Sequence, residues 1–304
     1  MSTPRPLPWL RALRPSQWTK NLVVFAAFVF ALGDLQQHED WHLLFVVLQA
    51  ALAFCLISSG IYLLNDVRDL ALDRVHPTKR FRPIAAGELA TSTALGMAAV
   101  LLVVGLAWSA LIARPLLVVV GLYVLMQFAY TLGLKRVALL DVFIIAGGFV
   151  LRALAGGAAI GVKLSPWLLL CAMLLALFLA LCKRRHEKVM LGQAEETNPV
   201  TRHSLAHYDE RLLDQLIAVV SGATLVCYAL YTLWPDTVHK FGTDRLVYTV
   251  PFVIFGLFRY LDLVYRHERG DRPEHILLSD WPLLLDIALY GIAVFAINMH
   301  ARLI

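Results

Sequence analysis

Three carboxylates, Asp66, Asp69 and Asp73, follow Asn65 at positions i, i+3 and i+7 between two apolar stretches. On a helix this spacing stacks them on one face. Like charges held so close repel, and the arrangement calls for a compensating cation. Carboxylates beside an amide are hard oxygen donors. They suit Mg²⁺, which commonly shares its shell with substrate phosphates, with Mn²⁺ as the alternative ion. Asn65, Asp66, Asp69 and Asp73 are thus the candidate metal ligands and the three aspartates the candidate catalytic group. A few residues on, Lys79, Arg80 and Arg82 supply donors suited to phosphate oxygens. An acidic face followed by a basic clamp describes a diphosphate site; a solvated loop of scattered charges is the plainer alternative.

Further cations recur at the ends of apolar runs. Tyr130, Thr131 and Lys135 close one such run, where Lys135 either grips a phosphate or anchors the chain at the membrane surface. Arg152 lies within an apolar stretch, about eleven residues after Asp141. A charge at that depth is costly and points to a role: facing a polar cavity, binding phosphate, or pairing with Asp141. Lys183, Arg184 and Arg185 end another run, with His186 and Glu187. Helical spacing pairs Lys183 with Glu187 and leaves Arg184 for substrate. The polar stretch Gly192–Pro199 reads as mobile, and Arg202, His203, His207 and Tyr208 follow it. Near the N-terminus, Arg14, Trp18 and Lys20 precede the first apolar run, and Arg259 and Asp262 sit at i, i+3 and satisfy one another.

The elements that must position these groups are membrane helices. The chain is 59% hydrophobic and 16% charged over 304 residues, with a mean hydropathy of +0.68. Soluble domains carry about 25% charged residues, so a soluble class is excluded. About 20 apolar residues span a bilayer. Nine candidates fall at 21–36, 42–64, 91–112, 115–133, 138–160, 166–183, 212–234, 246–265 and 282–301. With the N-terminus inside, cytoplasmic segments carry twenty Lys and Arg and outside loops four. That asymmetry orients the chain, placing the C-terminus outside and the long polar loops in the cytoplasm. It also accounts for the net charge of +5 without nucleic acid. No cleavable leader is evident. Cys55, Cys171, Cys182 and Cys227 fit neither a zinc site nor a disulfide framework and read as packing residues. The expectation is a single all-α, multi-pass domain over residues 1–304.

The run Tyr62 to Gly87, with Asn65, Asp66, Asp69 and Asp73, resembles the UbiA-type intramembrane prenyltransferase superfamily, whose members carry an Asn-Asp-x-x-Asp-x-x-x-Asp motif after the second of about nine helices. Most members also carry a second aspartate-rich motif after the sixth helix. Here that place reads Lys183 to Glu187, and Glu210 and Asp214 occur further on. The extended first motif is similar to the decaprenyl-phosphate phosphoribosyltransferase branch. So are Arg14 to Asn21, Tyr130 to Lys135, Leu151 to Gly157 and Lys183-Arg184.

The resemblance implies a UbiA-like helical bundle with a cytoplasm-facing polar cavity, in the cell inner or plasma membrane. It implies phosphoribosyl diphosphate as donor, a polyprenyl phosphate as acceptor, Mg²⁺ dependence, inversion at C1 and a role in cell-wall biogenesis. Membrane lipids surround the chain, and a homo-oligomer is compatible with it. Lys20, Asn65, Lys79, Arg82, Tyr130, Lys135, Arg152, Lys183 and Arg184 are the expected substrate contacts. A donor with phosphate at both ends needs more cations than a prenyl diphosphate, which suits a basic cluster where others have acids. The alternative within the superfamily is transfer of a prenyl group from its diphosphate to an aromatic acceptor. A transporter would need polar residues through both leaflets, whereas the charges here crowd one face.

Overall fold

A computed structural model of the chain describes residues 7–32, 41–193, 208–266 and 279–303. Arg202, His203 and His207, and residues 194–199 of the stretch expected to be mobile, lie outside these residues. Within them the chain is helical, without strands. The helices are α1 (Pro8–Ala12), α2 (Ala26–Leu32), α3 (Trp41–Arg68), α4 (Leu70–Val75), α5 (Thr91–Ile112), α6 (Arg114–Leu132), α7 (Leu140–Ile160), α8 (Pro166–Gln193), α9 (Glu210–Leu233), α10 (Pro235–Phe241), α11 (Val250–Arg266) and α12 (Trp281–Leu303). A helix pairs its own backbone groups, which is what lets an apolar segment live in lipid.

Eight of the nine expected spans are helices long and apolar enough to cross a membrane among the described residues. The first is built differently. It runs as a 3₁₀ helix over Pro15–Phe25 and then as α2, and residues 33–36 of that candidate lie outside the described set. Pro15 sits at the first helical position, where its fixed φ suits entry. The 3₁₀ winding rises about 2.0 Å per residue against about 1.5 Å for an α-helix, so it covers more length per residue.

The chain divides into two compact units. The first holds residues up to 28, 40–135 and 151–163. Its backbone is the α3–α5 pair. There the helices approach closely at Gly60 and Gly105: a Cβ on Gly105 would lie 2.5 Å from Cγ1 of Ile57. Small residues permit such contacts between membrane helices. Gly156, on the C-terminal half of α7, likewise leaves no room for a side chain beside the Val24 carbonyl. The second unit holds residues 29–39, 136–150 and 164 onward. Here Phe178, Leu181, Leu213, Ile217, Leu257 and Tyr260 form the core of α8, α9 and α11, with the Phe178 and Tyr260 rings 5.5 Å apart. All four cysteines are free thiols, and Cys55, Cys182 and Cys227 are buried.

Candidate functional site

The acidic face begins on the last turn of α3 and passes through a break. Asp69 leaves helical geometry (φ −90°, ψ 8°) between α3 and α4. Backbone hydrogen bonds from the N–H of Asp69 to the Asn65 carbonyl (2.9 Å), and from Asp73 to Asp69 (2.8 Å), carry the winding across it. Asp66 and Asp73 are buried, each 3% exposed, while Asp69 is half-buried.

Each carboxylate is met by cations of its own unit. Nη1 of Arg82 donates to Asp66 (3.0 Å) and to Asp73 (2.6 Å). Arg14 also pairs with Asp66. Nζ of Lys135 donates to both oxygens of Asp69, at 2.6 and 2.7 Å. The Asn65 side-chain oxygen accepts from the Thr131 hydroxyl at 2.7 Å. Burial pushes the Asp73 carboxyl above its ordinary range, with Arg82 and Lys79 pulling the other way and Asp66 adding to the rise.

Three anchors set these cations. Arg14 has a left-handed backbone (φ 55°), its guanidinium 5.1 Å from the centre of the Tyr62 ring. The indole N–H of Trp18 donates to Ser59 (3.0 Å), whose hydroxyl donates to the Leu13 carbonyl (2.8 Å), fastening this stretch to α3. Arg11 bonds Glu88 (2.7 Å) and the Phe81 carbonyl (3.0 Å), tying α1 to the loop that bears Arg82. Arg68 donates to the Leu132 carbonyl at 2.8 Å, which brings the end of α6, and so Lys135, beside the break.

The expected metal ligands are therefore not a ready shell: among the described residues no three carboxylate, imidazole or thiol groups converge as one. Their chemistry nonetheless fits a hard cation, since two buried carboxylates already reach a single nitrogen of Arg82.

The remaining expected contacts distribute unevenly. Lys79 begins a short 3₁₀ turn, Lys79–Phe81, and acts electrostatically on Asp73. Lys20 and Tyr130 are half-buried in the same unit. Arg152 is buried; its Nε donates to Asn21 (2.8 Å) and its Nη2 to the Tyr123 hydroxyl (2.7 Å). Its guanidinium also stacks 4.8 Å from the Tyr123 ring centre, which softens the cost of a cation at that depth.

Lys183 and Arg184 belong to the second unit. Arg184 differs from expectation. Its Nε donates to Asp141 (2.8 Å) with 2% and 0% of the two side chains exposed, and it also pairs with Glu187. The partner foreseen for Arg152 is thus bonded to Arg184: eleven residues along α7 put Arg152 about 16 Å from Asp141 at 1.5 Å per residue, too far to pair. Tyr208 completes this group: its hydroxyl donates to Asp141 (2.8 Å) and accepts from the Leu139 N–H (2.7 Å). Arg185 bonds Asp214 at 2.6 Å over the Tyr265 ring. Arg259 pairs with Asp262 as expected (3.2 Å), and with Asp280 as well (2.9 Å).

The model of the UbiA prenyltransferase family matches residues 22–279. The chain belongs to the UbiA prenyltransferase family. It is an integral membrane protein. Among its relatives is a protein of Mycolicibacterium smegmatis described as decaprenyl-phosphate phosphoribosyltransferase, 38% identical, covering 89% of this chain and 86% of the relative. Another of that description, from Corynebacterium glutamicum, is 36% identical over 94% of this chain and 88% of its own. In fold it is similar to a UbiA homologue of Archaeoglobus fulgidus solved with GPP and Mg²⁺, with a TM-score of 0.71, 20% identity, and 96% and 99% of the two chains covered.

Sequence reasoning did not assign site roles to Arg14, Thr131, Asn21 or Tyr123. Arg14 is the nearest to legible, as a cation directly before a proline that starts a helix. Nothing in the spacing links Thr131 to Asn65, sixty-six positions away.

Proposed function

We propose that this chain transfers the 5-phosphoribosyl group from phosphoribosyl diphosphate to a decaprenyl-type polyprenyl phosphate, releasing diphosphate. The observation that carries the reading is the similarity, over about nine-tenths of the chain, to relatives described as decaprenyl-phosphate phosphoribosyltransferases. The acid-and-base constellation of the first unit supports it, because a donor with two phosphate ends calls for both carboxylates and clustered cations.

Asp66, Asp69 and Asp73, with Asn65, are the groups that would hold Mg²⁺ or Mn²⁺. When bound, the ion supplies charge neutralisation for the departing diphosphate. Arg82, Lys79 and Lys135 bind phosphate oxygens and fix the donor's orientation. Arg152, Lys20 and Tyr130 contact the 5-phosphate or the lipid phosphate, and Lys183 is a separate phosphate contact of the second unit. Arg184 acts differently: buried against Asp141, it holds the helix end that carries Lys183. In the reaction the C1–O bond to diphosphate breaks, its electron pair leaving with the diphosphate, as a lipid phosphate oxygen bonds C1 from the opposite face. The anomeric carbon is inverted. The nucleophile is already an anion, so no strong general base is needed, and the chain's contribution is orientation and electrostatic stabilisation. Donor site and loops face the cytoplasm across the inner membrane in this reading, as the distribution of Lys and Arg favours.

The test is direct. Purified protein in detergent, given Mg²⁺, labelled phosphoribosyl diphosphate and a polyprenyl phosphate, should place label in extracted lipid. That label should vanish with EDTA and in Asp66→Ala. Activity only on a prenyl diphosphate with an aromatic acceptor would overturn the reading.

A further inference from the structure

Each carboxylate that would hold the metal is engaged by a cation suited to hold the donor's phosphates. Arg82 joins Asp66 to Asp73, Arg14 adds a second contact to Asp66, and Lys135 takes both oxygens of Asp69. Three carboxylates face three cations. Building on the proposed reaction, we infer that metal and diphosphate donor bind this site as a mutually dependent pair, with Arg14, Arg82 and Lys135 as the residues that couple them.

Consider each ligand entering by itself. A divalent ion drawn onto the carboxylates takes them from three partly buried cations, and sets its own two positive charges beside those cations. A diphosphate drawn onto the cations takes them from Asp66 and Asp73, both 3% exposed, and sets a polyanion beside those carboxylates. Stripping the partner from a buried charge is strongly unfavourable. When both enter, the pairs exchange: carboxylates turn to the metal, cations to phosphate oxygens, and every charge keeps a partner. Such coupling is reciprocal, so each ligand raises the other's affinity by the same factor. It also restrains the chain from holding a metal without a donor, or a donor without the ion that stabilises its leaving group. Arg14 suits this exchange because its left-handed backbone lies in a strained region often found where a residue switches partners.

The experiment measures Mn²⁺ binding to the full chain in detergent by electron paramagnetic resonance, with no phosphate compound present. Arg82→Gln and Lys135→Gln each release a carboxylate, so donor-free Mn²⁺ affinity should rise about tenfold or more in each. Arg82→Lys, which retains the charge, should stay near wild type. Arg114→Gln should change little, since Arg114 begins α6 at the end away from Lys135. The paired control Asp66→Asn with Asp73→Asn should lose binding. The two releasing variants act on different carboxylates, so one that elutes as a folded species decides the question if the other does not. The coupling is overturned if both folded releasing variants bind no tighter than wild type while the control loses binding, or if Arg114→Gln gains as much as they do. Either result leaves phosphoribosyl transfer intact. Undiminished binding in the control would instead overturn both the metal assignment and the coupling. Failure of the lipid-labelling assay alone counts against the donor and acceptor.

Discussion

Replacing Arg184 by Met tests whether this residue braces the fold or meets substrate. The Arg184 and Asp141 side chains are 2% and 0% exposed, with Nε donating to Oδ2 at 2.8 Å. The other carboxylate oxygen accepts from the Tyr208 hydroxyl at 2.8 Å and the Val142 N–H at 2.9 Å. Met roughly preserves length and removes the guanidinium from a carboxylate that stays buried. Breaking such a pair from one side costs on the order of 3–5 kcal/mol. Asp141→Asn should cost a comparable amount, because it leaves the guanidinium buried. The double variant should lose less than the two single losses together, with a coupling of roughly 0.5–3 kcal/mol. Thermal unfolding in detergent, followed by intrinsic fluorescence, reads the three losses; donor KM is measured alongside. If Arg184→Met melted with wild type and raised donor KM by itself, Arg184 would be a phosphate contact and the brace would be refuted.

Tyr208 gives the pH dependence. Burial, with the hydrogen bond to Asp141, pushes its phenol above the ordinary value of 10.0. A group raised in the folded state contributes stability that is fully present below its unfolded pKa and is lost as pH rises towards the folded one. Stability of wild type relative to Tyr208→Phe should therefore decline above about pH 10, and a constant difference would contradict it. Gly105→Ala should cost roughly 1–3 kcal/mol by overpacking, since the new Cβ would sit 2.5 Å from Cγ1 of Ile57. Ile57→Ala in the same chain should recover part of that loss in a melting experiment. Gly87 has φ +77° with open space around its α-carbon, so Gly87→Ala should cost about 1–2 kcal/mol from backbone strain alone; an unchanged melting temperature would count against that strain.

The membrane helices were legible because length and apolarity are local properties. Eight spans follow directly from runs such as 91–112, where hydropathy alone decides. The 3₁₀ course of Pro15–Phe25 was not legible, since hydropathy carries no information on helical pitch. At the acidic motif, spacing put three carboxylates on one face; in the structure Asp66 and Asp73 share Arg82. Spacing could not foresee the break at Asp69, which turns that carboxylate to Lys135. Cations were identifiable by type, but apart from the Arg259–Asp262 pair their partners were not. Arg152 and Arg184 both drew attention as charges in or at the end of apolar runs. One rests on Asn21 and the Tyr123 ring, the other on Asp141, and only packing distinguishes them.

That distinction bears on how a basic cluster replaces an acidic one at the end of α8. In the sequence, helical spacing pairs Lys183 with Glu187 and leaves Arg184 for a phosphate ligand. The fold instead matches Arg184 with Asp141 and Glu187, and Arg185 with Asp214. Arg184 and Arg185 are thereby neutralised by the chain itself. A formal count of adjacent cations overstates the attraction for phosphate at that helix end. Paired arginines at different burial also behave differently: Arg184, 2% exposed with a fully buried carboxylate, is fixed by the cost of separation. Arg82 and Lys135, more exposed beside carboxylates that could turn to a metal, can change partners at lower cost. The proposed chemistry therefore belongs to the pairs around the break at Asp69, and the buried pair of Arg184 with Asp141 on α7 braces the end of α8.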